Sequence, residues 1–167
     1  MTRTLDLGSG PAPINPFGFD EVYGVDIYNT GNANVRVADL VIEPIPFEDN
    51  YFDGVTAIDF LEHLPRTLYI PSASGGVKRI NPFIDVMSEA YRVLKPGGQF
   101  LAKTPAYPTH EAFQDPTHVN IITENTQYYF TGIGLHLCHI YGFKGEFKLI
   151  RQEWEGYWLV WHFEAVK

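Results

Sequence analysis

The sequence is poor in cysteine, in basic residues and in long apolar runs. Its single cysteine, Cys138, excludes an intramolecular disulfide and a site built from several thiolates. No uninterrupted apolar run approaches the roughly 20 residues that are needed to span a bilayer. The first residues also lack the apolar stretch of a secretory signal. These absences favour a reducing, cytoplasmic setting and predict no membrane partner.

Basic residues are few and scattered. The chain has 12 lysines and arginines against 20 aspartates and glutamates, which gives a net charge of −8 at pH 7. Lys78 and Arg79 form the only adjacent basic pair, whereas nucleic-acid binders cluster such residues to displace phosphate counterions. We therefore predict no general nucleic-acid binding, and the acidic balance favours a neutral or cationic small-molecule partner.

Core-forming residues are plentiful. Hydrophobic residues make up 45% of the chain and charged residues 19%, which is typical of a folded globular protein. Single hydrophobic cores commonly stop growing only beyond roughly 250–300 residues. We therefore expect residues 1–167 to form a single domain.

Five short apolar runs are bounded by glycine, aspartate or proline, a pattern typical of buried parallel strands. They cover residues 4–7, 22–25, 35–38, 52–58 and 98–103. Apolar residues recur at steps of three and four from Pro82 to Leu94, which predicts a helix with Asn81 as its N-cap. Two further runs, 145–154 and 157–166, predict an antiparallel hairpin. The predicted fold is therefore α/β, a mostly parallel sheet that ends in an antiparallel hairpin.

Acidic residues and a glycine turn follow the predicted strands, at the edge where open parallel sheets bind ligands. Asp6 precedes Gly8-Ser9-Gly10, a tight turn that lets the backbone approach a ligand closely. Asp26 ends the second strand and can accept hydrogen bonds from two ribose hydroxyls. Asp39 ends the third strand, where a carboxylate could accept from an exocyclic adenine amine. The pattern indicates a nucleoside-containing cofactor.

The ordered motifs resemble those of the class I S-adenosylmethionine-dependent methyltransferases, and are most similar to the small-molecule "type 11" subfamily. The matching runs are Leu5-Asp6-Leu7-Gly8-Ser9-Gly10, Gly24-Val25-Asp26, Ala38-Asp39-Leu40, Ile45-Pro46-Phe47 with Tyr51-Phe52-Asp53, and Leu94-Lys95-Pro96-Gly97-Gly98. The resemblance implies a Rossmann-like, seven-stranded, mostly parallel sheet with a C-terminal antiparallel hairpin. It also implies S-adenosyl-L-methionine as cofactor and S-adenosyl-L-homocysteine as product.

The resemblance assigns the cofactor to residues that share the carboxyl ends of strands: Asp6, Gly8, Ser9, Gly10, Asp26, Ile27, Asp39, Leu40, Asp59 and Phe60. The turn at residues 6–10 would line the methionine part, and Asp26 would hold the ribose hydroxyls with Ile27 against the adenine. Asp39 and Leu40 would contact the adenine edge. Asp59 and Phe60 would face the amino acid moiety or the acceptor.

Two departures from the family pattern bear on the cofactor. Ala12 replaces the third glycine, and Pro11, Pro13 and Pro16 shorten or abolish the helix expected after the first strand. Pro13 also disfavours a dinucleotide cofactor, whose fingerprint needs glycine near this position. The motif begins close to Met1, where relatives carry helices that close over the cofactor. Lack of these usual N-terminal helices implies an exposed cofactor, a lid from a partner or a second copy of the chain, or weak cofactor affinity.

Candidate catalytic residues lie in the segments after the fourth and fifth strands. Methyl transfer needs an acceptor atom in line with the methyl group, and a hydroxyl acceptor benefits from a general base. Glu62 and His63 follow the fourth strand, and His110 and His118 follow the fifth. We predict transfer to a small-molecule or glycan-type acceptor, at oxygen, with Glu62, His63 and His118 as catalytic residues.

Three alternatives remain open at this stage. Asp59, Glu62 and His63 have the acid-x-x-acid-His spacing that resembles the Mg²⁺-dependent O-methyltransferases of quinone pathways and small-RNA 3′ ends, with His118 as the later ligand. Carboxylates with imidazole suit a divalent ion. The same residues could instead have a structural role. The whole chain could also be a non-catalytic binding or scaffold protein that kept the fold.

Three further expectations concern other segments. The Pro-, Ser- and Gly-rich stretch 69–78 reads as an irregular loop that could act as a substrate flap. His136 and His139 are predicted on a helix as partly buried residues, and His162 in a strand of the terminal hairpin. Cys138 is expected to pack in the core.

Overall fold

The computed structural model describes residues 1–132 and 137–167. The strands are β1 (Arg3–Leu7), β2 (Glu21–Asp26), β3 (Val35–Val37), β4 (Phe52–Ile58), β5 (Leu68–Pro71), β6 (Val77–Ile80), β7 (Leu94–Pro105), β8 (Phe147–Glu155) and β9 (Trp158–Ala165). The helices are α1 (Pro82–Val93), α2 (Glu111–Gln114) and α3 (Leu137–Ile140), with 3₁₀ turns at Leu61–His63 and Thr126–Tyr129.

Seven strands form one sheet in the order β3-β2-β1-β4-β7-β9-β8. The first five of these pair in parallel, while β9 runs antiparallel to both β7 and β8. This confirms the predicted seven-stranded, mostly parallel sheet with a C-terminal antiparallel hairpin. The order also brings the carboxyl ends of β1, β2, β3, β4 and β7 to one edge of the sheet, where the motif residues lie.

Aromatic rings fill the core beside β7 and the terminal hairpin. Phe100, Phe147 and Phe163 are fully buried, with ring centroids 5.7 to 5.9 Å apart. Helix α1 covers the sheet with one buried face and has Pro82 in its first turn, as the sequence predicts. It ends at Val93, one residue before the predicted end, because Leu94 takes extended backbone angles and begins β7.

The segment between β1 and β2 contains no helix. This agrees with the expected effect of its three prolines. Asn15 stabilises the connection instead: its Oδ1 accepts from the Phe19 amide at 3.0 Å, and its Nδ2 donates to the Phe19 carbonyl at 2.8 Å. Phe17 packs so closely on β4 that a Cβ at Gly54 would lie 2.6 Å from its ring. The loop is thereby anchored on the sheet, and its turn is presented at the carboxyl edge.

The expected loop at residues 69–78 is instead an antiparallel hairpin, and that prediction was wrong. Leu68 pairs with Ile80, and Pro71 pairs with Val77. Gly75 and Gly76 have φ values of +91° and +77°, which allow the tight reversal between β5 and β6. The hairpin is largely exposed, so its strands lack the apolar pattern of buried strands. The terminal hairpin turns at Gly156-Tyr157, one residue later than predicted.

The structure also places the single cysteine and the histidines of the C-terminal part. Cys138 is buried, and burial raises the pKa of its thiol to about 11. His162 lies in β9 as predicted. His139 lies in α3 and stacks on the Phe143 ring at 5.8 Å, while His136 lies outside the described residues. None of the helices in the described ranges has the length and apolarity that crossing a membrane requires.

Candidate active site

A glycine turn after β1 forms an open cradle at the carboxyl edge. Gly8 and Gly10 have φ values of +68° and +55°, and the amides of Gly8 and Ser9 donate to the Val25 carbonyl at 2.9 and 3.2 Å. A Cβ at Gly10 would meet no atom within 4 Å, so the turn is open on that side. At Gly8 a Cβ would lie 2.6 Å from the Phe60 ring. The turn thus packs on Phe60 at one glycine and leaves room for a ligand at the other.

Gly10→Ala tests this cradle directly. Gly18 is a matched control, since it also has a positive φ (+68°) and open space around its would-be Cβ. Each alanine should cost about 1–2 kcal/mol of unfolding free energy through the left-handed backbone. Gly10→Ala should also weaken S-adenosylhomocysteine binding about 10-fold or more, because its methyl group would enter the space that the motif resemblance assigns to the cofactor. Calorimetric titration checks this, and equal affinities in the two variants would contradict it.

The Asp26 carboxylate is fixed in orientation by two backbone amides. Oδ2 accepts from the Gly10 amide at 2.8 Å, and Oδ1 accepts from the Tyr28 amide at 2.9 Å. Each oxygen keeps a second lone pair for a further donor. Ile27 lies next to it with 53% of its surface exposed. This gives a preorganised acceptor of two hydrogen bonds beside an exposed apolar side chain.

Three of the predicted cofactor side chains are instead used within the protein. Asp6 is 4% exposed, and its two oxygens accept from Thr56 Oγ1 at 2.6 Å and from the Ile14 amide at 3.0 Å. Burial raises the pKa of the Asp6 carboxyl, against the lowering effect of both hydrogen bonds. The Leu40 side chain lies in the core. Ser9 Oγ turns back to the Gly10 carbonyl, 3.1 Å away.

Asp39 also uses its carboxylate locally. Oδ1 accepts from the Val41 amide at 3.0 Å, and the Asp39 amide donates to Glu43 Oε2 at 2.7 Å. These bonds form the turn that follows β3. Asp39 therefore stands at the predicted strand end with its carboxylate orientation set by the turn.

Asp59 meets a partner that sequence reasoning missed. It has a φ of +47°, and its Oδ1 accepts from Trp158 Nε1 at 2.7 Å. The Trp158 ring also contacts the Tyr157 ring, with centroids 3.8 Å apart and an interplanar angle of 32°. Its register opposite Pro105 places it at the carboxyl end of β7. The sequence predicted the terminal hairpin that contains Trp158, but it did not predict the register that places Trp158 beside Asp59.

The structure brings Glu62, His63 and His118 together. One ligand-type atom from each lies within 4.8 Å of the others, and the two imidazole centroids are 4.9 Å apart. Glu62 is 1% exposed, and its Oε2 accepts from Thr104 Oγ1 at 2.8 Å. Its Oε1 and His118 Nδ1 are buried without a hydrogen-bond partner among the described residues. Unpaired buried polar atoms are costly, so a group that paired with both atoms would stabilise the site.

His63 and His110 differ in their contacts. His63 Nδ1 lies 3.1 Å from Thr117 Oγ1 and 3.3 Å from the Thr117 carbonyl. The His110 side chain is 85% exposed and lies 3.3 Å from Glu111. His110 is not part of the cluster, and neither is Asp59 within the part of the chain that the structure describes.

Negative charge surrounds this cluster. Burial raises the pKa of the Glu62 carboxyl most, and nearby Asp59 raises it further, while Thr104 and His63 oppose the shift. A cavity of about 250 Å³ opens here, and it is lined by acidic and histidine side chains among others: Asp59, Glu62, His63, Glu111, Asp115 and His118. Such a lining attracts a cation and suits proton transfer.

Residues 5–102, more than half of the chain, match the family model of a methyltransferase domain, type 11. The chain belongs to this methyltransferase family. This membership agrees with the family that the motif resemblance implied.

Curated relatives match over part of their length. The ubiquinone/menaquinone biosynthesis C-methyltransferase UbiE of Stutzerimonas stutzeri is 35% identical over 81 residues, which are 48% of this chain and 25% of that protein. The demethylmenaquinone methyltransferase of a Geobacillus species is 30% identical over 132 residues, 67% of this chain and 49% of that protein. The chain thus spans less than half the length of these relatives.

Solved structures share the fold at low identity. A Haloferax volcanii methyltransferase, solved with the Trm112 methyltransferase activator, superposes with a TM-score of 0.61 at 15% identity, covering 99% of this chain and 83% of that one. A S-adenosylmethionine-dependent methyltransferase from Archaeoglobus fulgidus gives 0.59 at 16% identity, with coverages of 98% and 86%. These likenesses support the fold alone.

Proposed function

We propose that this methyltransferase methylates a hydroxyl oxygen of a small-molecule or glycan-type acceptor. The observation that carries this is the incompletely paired Glu62–His63–His118 cluster, in which Glu62 is buried, at the same sheet edge as the glycine cradle. A cofactor site and a proton-accepting site on one edge are what transfer to a hydroxyl requires.

S-adenosylmethionine fits the residues at this edge. The Asp26 oxygens keep lone pairs for two ribose hydroxyls, and Ile27 offers an apolar surface for adenine. The open side of Gly10 suits the methionine part, where Gly8 and Asp6 shape the turn. When bound, the cofactor supplies an electrophilic methyl group.

The other residues assigned to the cofactor contribute through their main chain as well as through their side chains. We assign the adenine edge to Asp39 and to the Leu40 backbone, since the Leu40 side chain is in the core. Ser9 contributes to the turn through its main chain. Asp59 and Phe60 border the space between the cradle and the cluster, because Phe60 packs on Gly8 and Asp59 lines the cavity beside Glu62.

His63 is suited to accept the acceptor's proton. The Thr117 carbonyl can only accept a hydrogen bond, and the Thr117 hydroxyl donates to Asp115 Oδ1, so we assign the proton of the neutral His63 ring to Nδ1. Its Nε2 is then free to act as a base. Glu62, buried beside it, stabilises the imidazolium that forms, and His118 completes the polar wall.

A divalent metal ion is the second candidate, favoured by the two unpaired atoms. Glu62 Oε1 and His118 Nδ1 would both gain a partner by ligating an ion together with His63. One carboxylate and two imidazoles suit Mn²⁺ or a similar borderline ion better than Mg²⁺, which prefers oxygen ligands.

The test is S-adenosylhomocysteine formation from S-adenosylmethionine across a panel of hydroxylated small molecules and glycans, with and without EDTA. We expect product with at least one acceptor. Activity unchanged in EDTA supports the histidine base, whereas loss in EDTA with recovery in Mn²⁺ supports the metal. A protein that binds S-adenosylhomocysteine but makes none on any acceptor would contradict the proposal and support the scaffold alternative.

A further inference from the structure

A larger cavity is connected to the Glu62–His63–His118 cluster through hydrogen bonds of Arg66 and Asn120. It has a volume of about 780 Å³ and is bordered by hairpin β5–β6, by the start of α1 and by residues 121–130. The hairpin and α1 follow β4, and residues 121–130 follow β7, so these walls leave the carboxyl ends of neighbouring strands. Cys138 and Tyr141, which precede β8 in the chain, complete the lining.

The charge of this cavity is opposite to that of the chain. Arg66 and Arg79 line it, and none of the described residues that line it is acidic. The whole sequence has 20 acidic residues against 12 basic ones. The cavity thus favours an anionic group, although the overall balance favours a neutral or cationic partner.

Four aromatic residues line the cavity, together with isoleucine, threonine and asparagine side chains. Phe83 and Phe130 are buried, with ring centroids 5.3 Å apart at an interplanar angle of 82°. Tyr129 and Tyr141 line the cavity with partly exposed rings. Aromatic walls of this kind bind planar apolar groups through edge and face contacts.

Arg66 is held in place relative to the catalytic cluster. Its Nε donates to Asn120 Oδ1 at 2.7 Å, and its Nη2 donates to the Ile121 carbonyl. The Asn120 amide in turn donates to the Glu62 carbonyl at 2.9 Å. Arg79 is exposed on β6 and has no ion-pair partner within residues 1–132 and 137–167. One oriented guanidinium and one available guanidinium suit an oxyanion.

We infer that this cavity binds the methyl acceptor, and that the acceptor joins a planar apolar ring system to an oxyanion group, a carboxylate or a phosphate. Arg79 and Arg66 hold the anion while the aromatic walls hold the ring system. The inference rests on the proposed function, because it takes the ligand of this cavity to be the substrate of that site.

Two neighbouring cations on β6 provide a matched test. Arg79 faces this cavity, whereas Lys78 lines a different cavity on the other side of the strand. Arg79→Gln and Lys78→Gln therefore remove the same charge from opposite faces. The probes are 2-naphthoate, 2-naphthyl phosphate and the neutral 2-naphthol, whose binding is followed by fluorescence titration.

We expect saturable binding of at least one anionic probe by the unaltered protein, and weaker binding of 2-naphthol. Arg79→Gln should weaken the anionic probe about 10-fold, because a charge-assisted hydrogen bond is lost. Lys78→Gln should change it less than about twofold, since its charge is distant and screened. The tighter of the two anions identifies the oxyanion as carboxylate or phosphate.

Three results would overturn the inference: no saturable binding of either anion, 2-naphthol binding equally well, or both variants weakening the probe alike. S-adenosylhomocysteine affinity is measured on the same three proteins. If it is retained while the anionic probes fail, the inference alone is wrong and the proposed function stands. If the unaltered protein does not bind S-adenosylhomocysteine at all, the proposed function fails first.

Discussion

Asp26→Ala is expected to lower the affinity for S-adenosylhomocysteine about 100-fold, since hydrogen bonds to a charged group contribute strongly to binding. Two effects act together. The variant loses the acceptors proposed for the ribose hydroxyls, and it also releases the Gly10 and Tyr28 amides that the carboxylate holds. Calorimetric titration of the purified protein measures the change.

Asp53→Ala is the matched control for this variant. Asp53 also binds a backbone amide through its carboxylate, that of Arg3 at 2.8 Å, and it pairs with Lys95. It stands at the amino end of β4, across the sheet from the cradle. We expect Asp53→Ala to lower the melting temperature and leave the affinity unchanged. If it weakened binding as much as Asp26→Ala, loss of stability would explain both.

His118→Ala and Glu62→Gln are expected to slow S-adenosylhomocysteine formation on a responsive acceptor by about 100-fold or more, the usual contribution of a positioned acid–base group. Cofactor affinity should stay nearly constant, because neither residue belongs to the cradle. His110→Ala is the control, since it removes a histidine from the same post-β7 segment but from an exposed position outside the cluster. Full activity in His118→Ala would remove this residue from the catalytic site.

Glu62→Gln should stabilise the fold, although it slows methyl transfer. In metal-free protein it removes a buried carboxylate that has one unpaired oxygen. Burial raises the pKa of Glu62 above its usual value, so the folded unaltered protein loses stability as pH rises through that raised pKa. The variant does not titrate there. Its advantage in melting temperature should therefore grow as pH rises, and thermal denaturation in EDTA over a pH series measures it.

The sheet and its carboxyl edge could be predicted because buried strands leave a local signature. Runs of apolar residues that end in glycine or aspartate located β1, β2 and β4, and the helical spacing located α1. Hairpin β5–β6 escaped prediction because its residues are mostly exposed and carry no apolar alternation. Buried strands were predicted from their apolar runs, and the exposed strands of this hairpin have no such runs.

The site could be predicted only in its local parts. The glycine turn and Asp26 are recognisable from adjacent residues, and the Glu62-His63 pair from its place after β4. The bond between Asp59 and Trp158 and the contact between His63 and His118 depend on sheet order and register, which no short segment encodes. The hydrogen bond between Arg66 and Asn120 also depends on tertiary packing and could not be predicted from a short segment.

The position of β9 within the sheet has a consequence for how the chain folds during synthesis. β9 lies between β7 and β8, and it pairs with β7 from Gln99 opposite Glu164 to Pro105 opposite Trp158. On the ribosome, β7 emerges well before β9 and keeps an unpaired edge in the interval. Unpaired edges can recruit other strands, so this edge of β7 is open to pairing with other chains until β9 covers it.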